Sequence, residues 1–317
     1  MADLQFPILS KRFFLFLGLG VGVFLGLSLY GNWVAVTGAF KDFAYWTLPL
    51  ILALAFMNYL FRFGRWGLYL RRAGISLPRK ESFYIFMSGL VMTVTPGKMG
   101  ELIKSYLLKE SRQVPLARSG PIVLAERFTD LLSVYLLTLL GGISFAFGAR
   151  LLWVGLLVLV LGLLPLISPK VFNGLLGLLR RFSRGRRLEG PLTEAFHTLH
   201  DLMGFGLLCL ATMLGLAAWF FECLAFQVVF AGLGVEVPLI KATFIYAFAT
   251  LAGALSMLPG GIGAAEGSMT SLLLLIQIPK AQATTATIII RICTVWFAVL
   301  LGYGFLKIFQ KQKKDEH

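Results

Sequence analysis

The 317 residues are 58% apolar and only 14% charged, with a mean hydropathy of +0.82, which excludes a soluble domain of this length. The formal net charge of +14 does not point to nucleic acid, because the cations gather in short segments beside apolar stretches. That distribution belongs to a protein of the bilayer.

A spanning helix needs about 20 predominantly apolar residues. In chain order, 13–31, 46–64, 119–148, 150–168, 204–231 and 282–308 meet this requirement, while 83–109 and 239–277 are apolar but interrupted by Pro-Gly. The first run follows Lys11-Arg12 and lacks a small-residue cleavage site, so it reads as an uncleaved helix, with the rest of 1–45 as an external loop. Gly18, Gly22 and Gly26, four apart, form a packing stripe on it.

The groups Arg62 to Lys80, Lys98 to Arg118 and Lys170 to Arg187, together with Lys11, Arg12 and the tail from Lys307, fall on one side of the membrane. The other side receives Lys41, Arg150, Lys241 and Lys280. The positive-inside rule then selects N-in, C-in, in the cytoplasmic membrane. Segment 149–203 reads as a connecting helix and a basic cytoplasmic loop, where Arg180, Arg181, Arg184, Arg186 and Arg187 face an anionic leaflet. His197 and His200 in that loop lack further ligands, and Cys209, Cys223 and Cys293 fall in spans at no metal-like spacing, so no metal site, disulfide or cofactor is expected.

The chain repeats itself. Thr95-Pro96-Gly97-Lys98-Met99-Gly100-Glu101 is echoed by Leu258-Pro259-Gly260-Gly261-Ile262-Gly263, and Arg127 and Arg291 follow the two prolines at nearly equal separation, each in an otherwise apolar span. The apolar piece before Pro96 is too short to cross a core of about 30 Å. Proline and glycine permit a reversal, so 83–109 and 239–277 are expected as re-entrant hairpins with tips at Pro96, Gly97, Gly100 and at Pro259, Gly260, Gly261, Gly263. An odd number of crossings separates them, which makes 46–148 and 204–308 an inverted repeat. The expected fold is all-α and polytopic, a single transmembrane domain with six spans and two hairpins. Inverted repeats with broken helices belong to secondary transporters.

Charges inside spans cost about 2.5–3.5 kcal/mol on insertion scales and face a cavity or a partner. They are Lys98, Glu101, Glu126, Arg127, Asp130, Glu222, Glu266 and Arg291. A guanidinium fork suits phosphate, which makes Arg127 and Arg291 candidate headgroup ligands. The competing reading is structural, with Arg127 paired to Glu101 or Asp130 and Arg291 to Glu266. Half-helices starting at Gly97 and Gly260 would turn positive dipole ends toward an anion, and Glu101 and Glu266 are placed to exchange a proton if buried.

Arg65-Trp66, the Pro96–Glu101 motif, Glu126-Arg127-Phe128-Thr129-Asp130-Leu131, and Pro259-Gly260-Gly261-Ile262-Gly263 with Glu266 together resemble the transmembrane-region family of lysylphosphatidylglycerol synthases, the flippase portion of multiple peptide resistance factors. The resemblance extends over nearly the whole chain. It implies movement of phospholipids or related lipids between leaflets, with Glu101, Glu126, Arg127, Asp130, Pro259, Gly260, Gly263 and Glu266 at family-type positions, and Lys98 where many relatives carry arginine. Bifunctional relatives carry a soluble lipid-modifying domain after the membrane region, whereas this chain ends nine residues after Ile308. It is therefore expected to act as a transport module, with any lipid modification left to a separate enzyme.

The expected partners are membrane lipids, anionic or phosphate-bearing, and no nucleic acid; homo-oligomerisation stays open. No G-x-x-x-x-G-K-[ST] loop implies ATP. The alternatives are an intramembrane headgroup-modifying enzyme using Glu101, Glu126 or Glu266, for which no nucleophile–histidine pair is visible, and an accessory subunit of a glycosyl- or acyltransferase.

Overall fold

A computed structural model of the chain describes residues 11–95, 100–142, 155–157, 161, 168–179 and 183–315. Pro96, Gly97, Lys98 and most of the expected span 150–168 lie outside the described residues. Within them the chain is helical, with no strand.

Two helices open the chain, α1 (Lys11–Tyr30) and α2 (Trp33–Lys41), bent by 101° at Gly31-Asn32. The expected external loop is thus partly helix. Asn32 explains the corner: its φ of 70° leaves the helical region, and its side chain caps α2 by accepting from Val34 N. Next come α3 (Leu48–Arg72), α4 (Arg79–Gly89), α5 (Ile103–Arg112) and α6 (Leu116–Gly142). After them stand α7 (Pro169–Leu179) and α8 (Ser183–Leu202). The second half of the chain supplies α9 (Phe205–Gly232), α10 (Leu239–Leu255), α11 (Ala264–Leu275) and α12 (Lys280–Arg291), with α13 (Phe297–Asp315) joined to α12 by a π-helical turn over Ile292–Trp296.

Tyr45–Arg72, Phe205–Gly232 and Lys280–Lys313 are long and apolar enough to cross a membrane, and the bent pair Gly18–Tyr30 and Trp33–Lys41 would add a fourth crossing if it forms one span. Helix α6 has the length at 27 residues, but Glu126, Arg127 and Asp130 sit along it. By contrast α4, α5 and α11 have 11, 10 and 12 residues. At about 1.5 Å per residue none of these reaches across the core alone.

Segment 183–202 is a helix rather than the expected loop. Phe196, Leu199 and Leu202 recur at helical spacing and are buried, with Phe196 stacked on Phe172 of α7 at 3.9 Å. His197 and His200 ride on this helix.

Three packings hold the body together: α3 on α9, α10 on α6, and α13 on α4 with the 3₁₀ turn that follows it. A polar contact or a small residue sets each approach. Asn58 Nδ2 donates to the Ala218 carbonyl at 2.9 Å between α3 and α9. A methyl on Gly141 would lie 2.8 Å from the Phe244 backbone, and one on Gly302 would lie 2.2 Å from Val91 N. In both cases a glycine on a long helix receives the backbone of a broken one.

Candidate functional site

The second Pro-Gly turn packs inside the molecule against residues that lead into the first motif. A methyl on Gly260 would lie 3.3 Å from Val94 Cα, which puts the second tip against the residue two before Pro96. The second tip is built by left-handed backbone: φ is 61° at Gly260, 67° at Gly261 and 90° at Gly263, conformations in which a side chain costs about 1–2 kcal/mol. At the first motif, the Gly100 N–H donates to Thr95 Oγ1 at 2.8 Å.

Around Glu101, which ends the first motif, lies a buried ion network. Residues 58, 59, 62, 65, 66 and 69 share one buried stripe of α3, which turns Arg62 and Arg65 inward. The segment after the tip supplies Glu101 and Lys104, and α6 supplies Glu126, Arg127 and Asp130. Arg65 donates to Asp130 Oδ1 at 2.6 Å, and Trp219 Nε1 donates to the same oxygen at 3.1 Å. Lys104 bridges Glu126 Oε2 at 2.5 Å and Glu101 Oε2 at 3.2 Å, while its ammonium stands 5.0 Å and 5.1 Å from the Trp66 and Phe86 ring centres. Arg127 Nη2 reaches Glu101 Oε2 at 2.9 Å and Asp130 Oδ2 at 3.0 Å. Carboxylates shared between cations are what allow so many ions out of water.

The second tip has a smaller network. Glu266 accepts from Gly263 N through Oε2 at 2.6 Å and from Arg291 Nε through Oε1 at 2.6 Å. Arg291 Nη2 donates to the Gly260 carbonyl at 2.7 Å, which ties α12 to the tip. This corrects the expected half-helix: it begins at Ala264, because the three left-handed glycines prolong the turn. Its positive end is occupied by Glu266, the third residue of the helix, leaving that terminus satisfied by the chain itself.

A cavity of about 180 Å³ separates the two networks. Arg62, Arg127 and Asp130 line it from the first half, and Glu222, Tyr246, Gly260 and Arg291 from the second. Tyr246 donates to Glu222 Oε2 at 2.6 Å. Thr294, in the π-helical turn after Arg291, also faces the cavity, and its carbonyl accepts from Tyr59 Oη at 2.7 Å. The remaining wall is largely apolar, with Leu131, Leu251, Ala254, Met257 and Leu258 among its residues.

Arg127, Asp130 and Arg291 thus reach the cavity, whereas Glu101, Glu126 and Glu266 are buried behind them as their partners or neighbours. The pairs Arg127 with Glu101 and Asp130, and Arg291 with Glu266, are those of the structural reading. Lys98 lies outside the described residues. The sequence reading missed Arg62, Arg65 and Lys104, which it placed in cytoplasmic basic groups; all three are buried. Helix α3 runs on to Arg72, and the signal was the helical spacing of Asn58, Tyr59, Arg62, Trp66 and Tyr69. Removing these three cations from the inside count leaves its asymmetry intact.

The chain matches the family described as "Lysylphosphatidylglycerol synthase TM region" over residues 15–302. A UPF0104 membrane protein of Methanothermobacter thermautotrophicus is 22% identical over 270 residues, 77% of this chain and 80% of that protein. One from Methanocaldococcus jannaschii is 23% identical over 269 residues, covering 78% and 80%, and one from Pyrococcus horikoshii is 25% identical over 266 residues, covering 75% and 79%. No solved structure matches. With its apolar helices and this match along most of its length, the chain is a membrane-embedded member of the lysylphosphatidylglycerol synthase transmembrane-region family.

Proposed function

We propose that the protein moves a phosphate-bearing lipid between the leaflets of the cytoplasmic membrane, acting as a transporter rather than an enzyme. The observation that carries this reading is the cavity lined by arginine from each half of the chain, with apolar residues completing its wall. At about 180 Å³ it is smaller than the roughly 300–1,000 Å³ of pockets that enclose whole drug-sized ligands. It accommodates a headgroup while the tails stay in lipid.

Segments 46–148 and 204–308 act in this reading as inverted repeats, with 83–109 and 239–277 as hairpins that enter from opposite faces. The packing supports it: exchanging the halves turns the α4–α13 contact into the α10–α6 contact and returns α3–α9 to itself. That is the pattern a twofold relation produces. Short broken helices beside a wet cavity are tolerated at membrane depth, and two facing repeats can open such a cavity to either side in turn.

Reconstitution into liposomes with fluorescent phosphatidylglycerol, read by a membrane-impermeant quencher, tests the proposal. The protein is expected to exchange label between leaflets faster than empty vesicles do, and the Arg127→Ala, Arg291→Ala double variant to fall to the empty-vesicle rate. Wild-type exchange no faster than that of empty vesicles refutes transport; a covalently altered lipid in the mass spectrum moves the assignment to an enzyme.

A further inference from the structure

The buried cations are not equivalent. Arg65, Lys104, Arg127 and Arg291 each have a carboxylate oxygen between 2.5 and 2.9 Å away. Arg62 does not: Glu101 Oε1 stands at 3.5 Å and Asp130 Oδ2 at 3.8 Å. The reason is competition. Glu101 Oε2 is drawn to Lys104 and Arg127, and Asp130 Oδ1 to Arg65 and Trp219. Arg62 is nevertheless only 3% exposed, lines the cavity, and its Nε has no acceptor. Arg127, on the same cavity and sharing Glu101, also leaves its Nε without one; Arg65 leaves Nε and Nη1 without one too, but it does not line the cavity.

A guanidinium placed this way is a poor structural element. Buried charges require close partners, and a fold that needed α3 only for packing would be served as well by an apolar side chain. We propose that Arg62 is the principal ligand of a phosphate mono- or diester in the cavity. Its planar fork would take two phosphate oxygens, with Arg127 Nε as a further donor. The anion site stands on these contacts alone; that the phosphate belongs to a lipid headgroup rests on the reading in the preceding section.

The test is ligand-dependent thermal unfolding of the purified full chain in detergent, with dihexanoyl-phosphatidylglycerol, inorganic phosphate and phosphate-free dihexanoylglycerol as probes. Dihexanoyl-phosphatidylglycerol is expected to raise the unfolding temperature saturably, and dihexanoylglycerol to leave it unchanged. Without ligand, Arg62→Gln should lose less stability than Arg65→Gln, since the carboxylates of Arg62 stand at 3.5 and 3.8 Å and that of Arg65 at 2.6 Å, and its apparent affinity for dihexanoyl-phosphatidylglycerol should drop at least tenfold. Arg62→Lys should lie between, keeping charge but losing the fork. The proposal is overturned if Arg62→Gln destabilises the protein as much as Arg65→Gln, if the affinity is unchanged, or if neither Arg62 variant folds. If inorganic phosphate binds as tightly as the lipid and loses affinity in Arg62→Gln, the anion site stands and the lipid-transport reading fails.

Discussion

Both halves use the same fastening, an arginine on the helix after the Pro-Gly motif gripping a glutamate just past that motif. Arg127 holds Glu101 in the first half and Arg291 holds Glu266 in the second. The first half surrounds that pair with Arg62, Arg65, Lys104, Glu126 and Asp130, while the second ties its arginine to a backbone carbonyl, that of Gly260. The shared pair ties the segment after each Pro-Gly motif to the next helix, and the added ions of the first half concentrate unfilled donors on one side of the cavity. The difference teaches that the two halves divide the labour, one supplying charge and the other a glycine-built turn.

The largest expected effect lies in the ion-rich half. Asp130→Leu strands Arg65 in a site with no exposure and should cost about 3–5 kcal/mol, read by unfolding in detergent. Glu266→Gln keeps an acceptor for Gly263 N but weakens the grip on Arg291, and should cost about 1.5–3 kcal/mol, the worth of a hydrogen bond to a charge. Equal losses from these two variants would break the distinction between the halves.

Gly263→Ala tests the turn alone. A methyl there meets nothing within 4 Å, so the expected penalty of about 1–2 kcal/mol comes purely from the left-handed backbone, and no penalty would remove that account of the tip. The smallest effect is expected for Gly22→Ala in α1: contrary to the expected packing stripe, a methyl on Gly18, Gly22 or Gly26 meets nothing within 4 Å, and φ there is ordinary. Its unfolding should shift by no more than about 0.5 kcal/mol.

Arg127, Glu101, Arg291 and Glu266 were legible in the sequence because each charge interrupts an apolar stretch at a repeated distance from Pro-Gly. Arg62 and Arg65 were not, because they precede Arg71, Arg72, Arg79 and Lys80, and a run of cations hides which of them the helix turns inward. Only the alignment of Asn58, Tyr59, Trp66 and Tyr69 with them separates buried from exposed. Lys104 was hidden in the same way by Lys109, Arg112 and Arg118. The occupant of the second half-helix terminus required knowing that Gly263, rather than Gly260, ends the turn. That follows from backbone angles that residue type alone leaves undetermined, since all three glycines tolerate them.

The exchanged packing has a consequence for the order in which the molecule can be made. Helix α4 rests on α13, the last helix among the described residues, and α3 rests on α9. The early helices are therefore made before their mates, and the charges they carry wait for their full surroundings until α9 and α13 have followed. Contacts this distant along the chain are slow to close, so shortening the C-terminal end by a single helix should leave the N-terminal portion to the cell's quality control rather than produce a half-sized working unit.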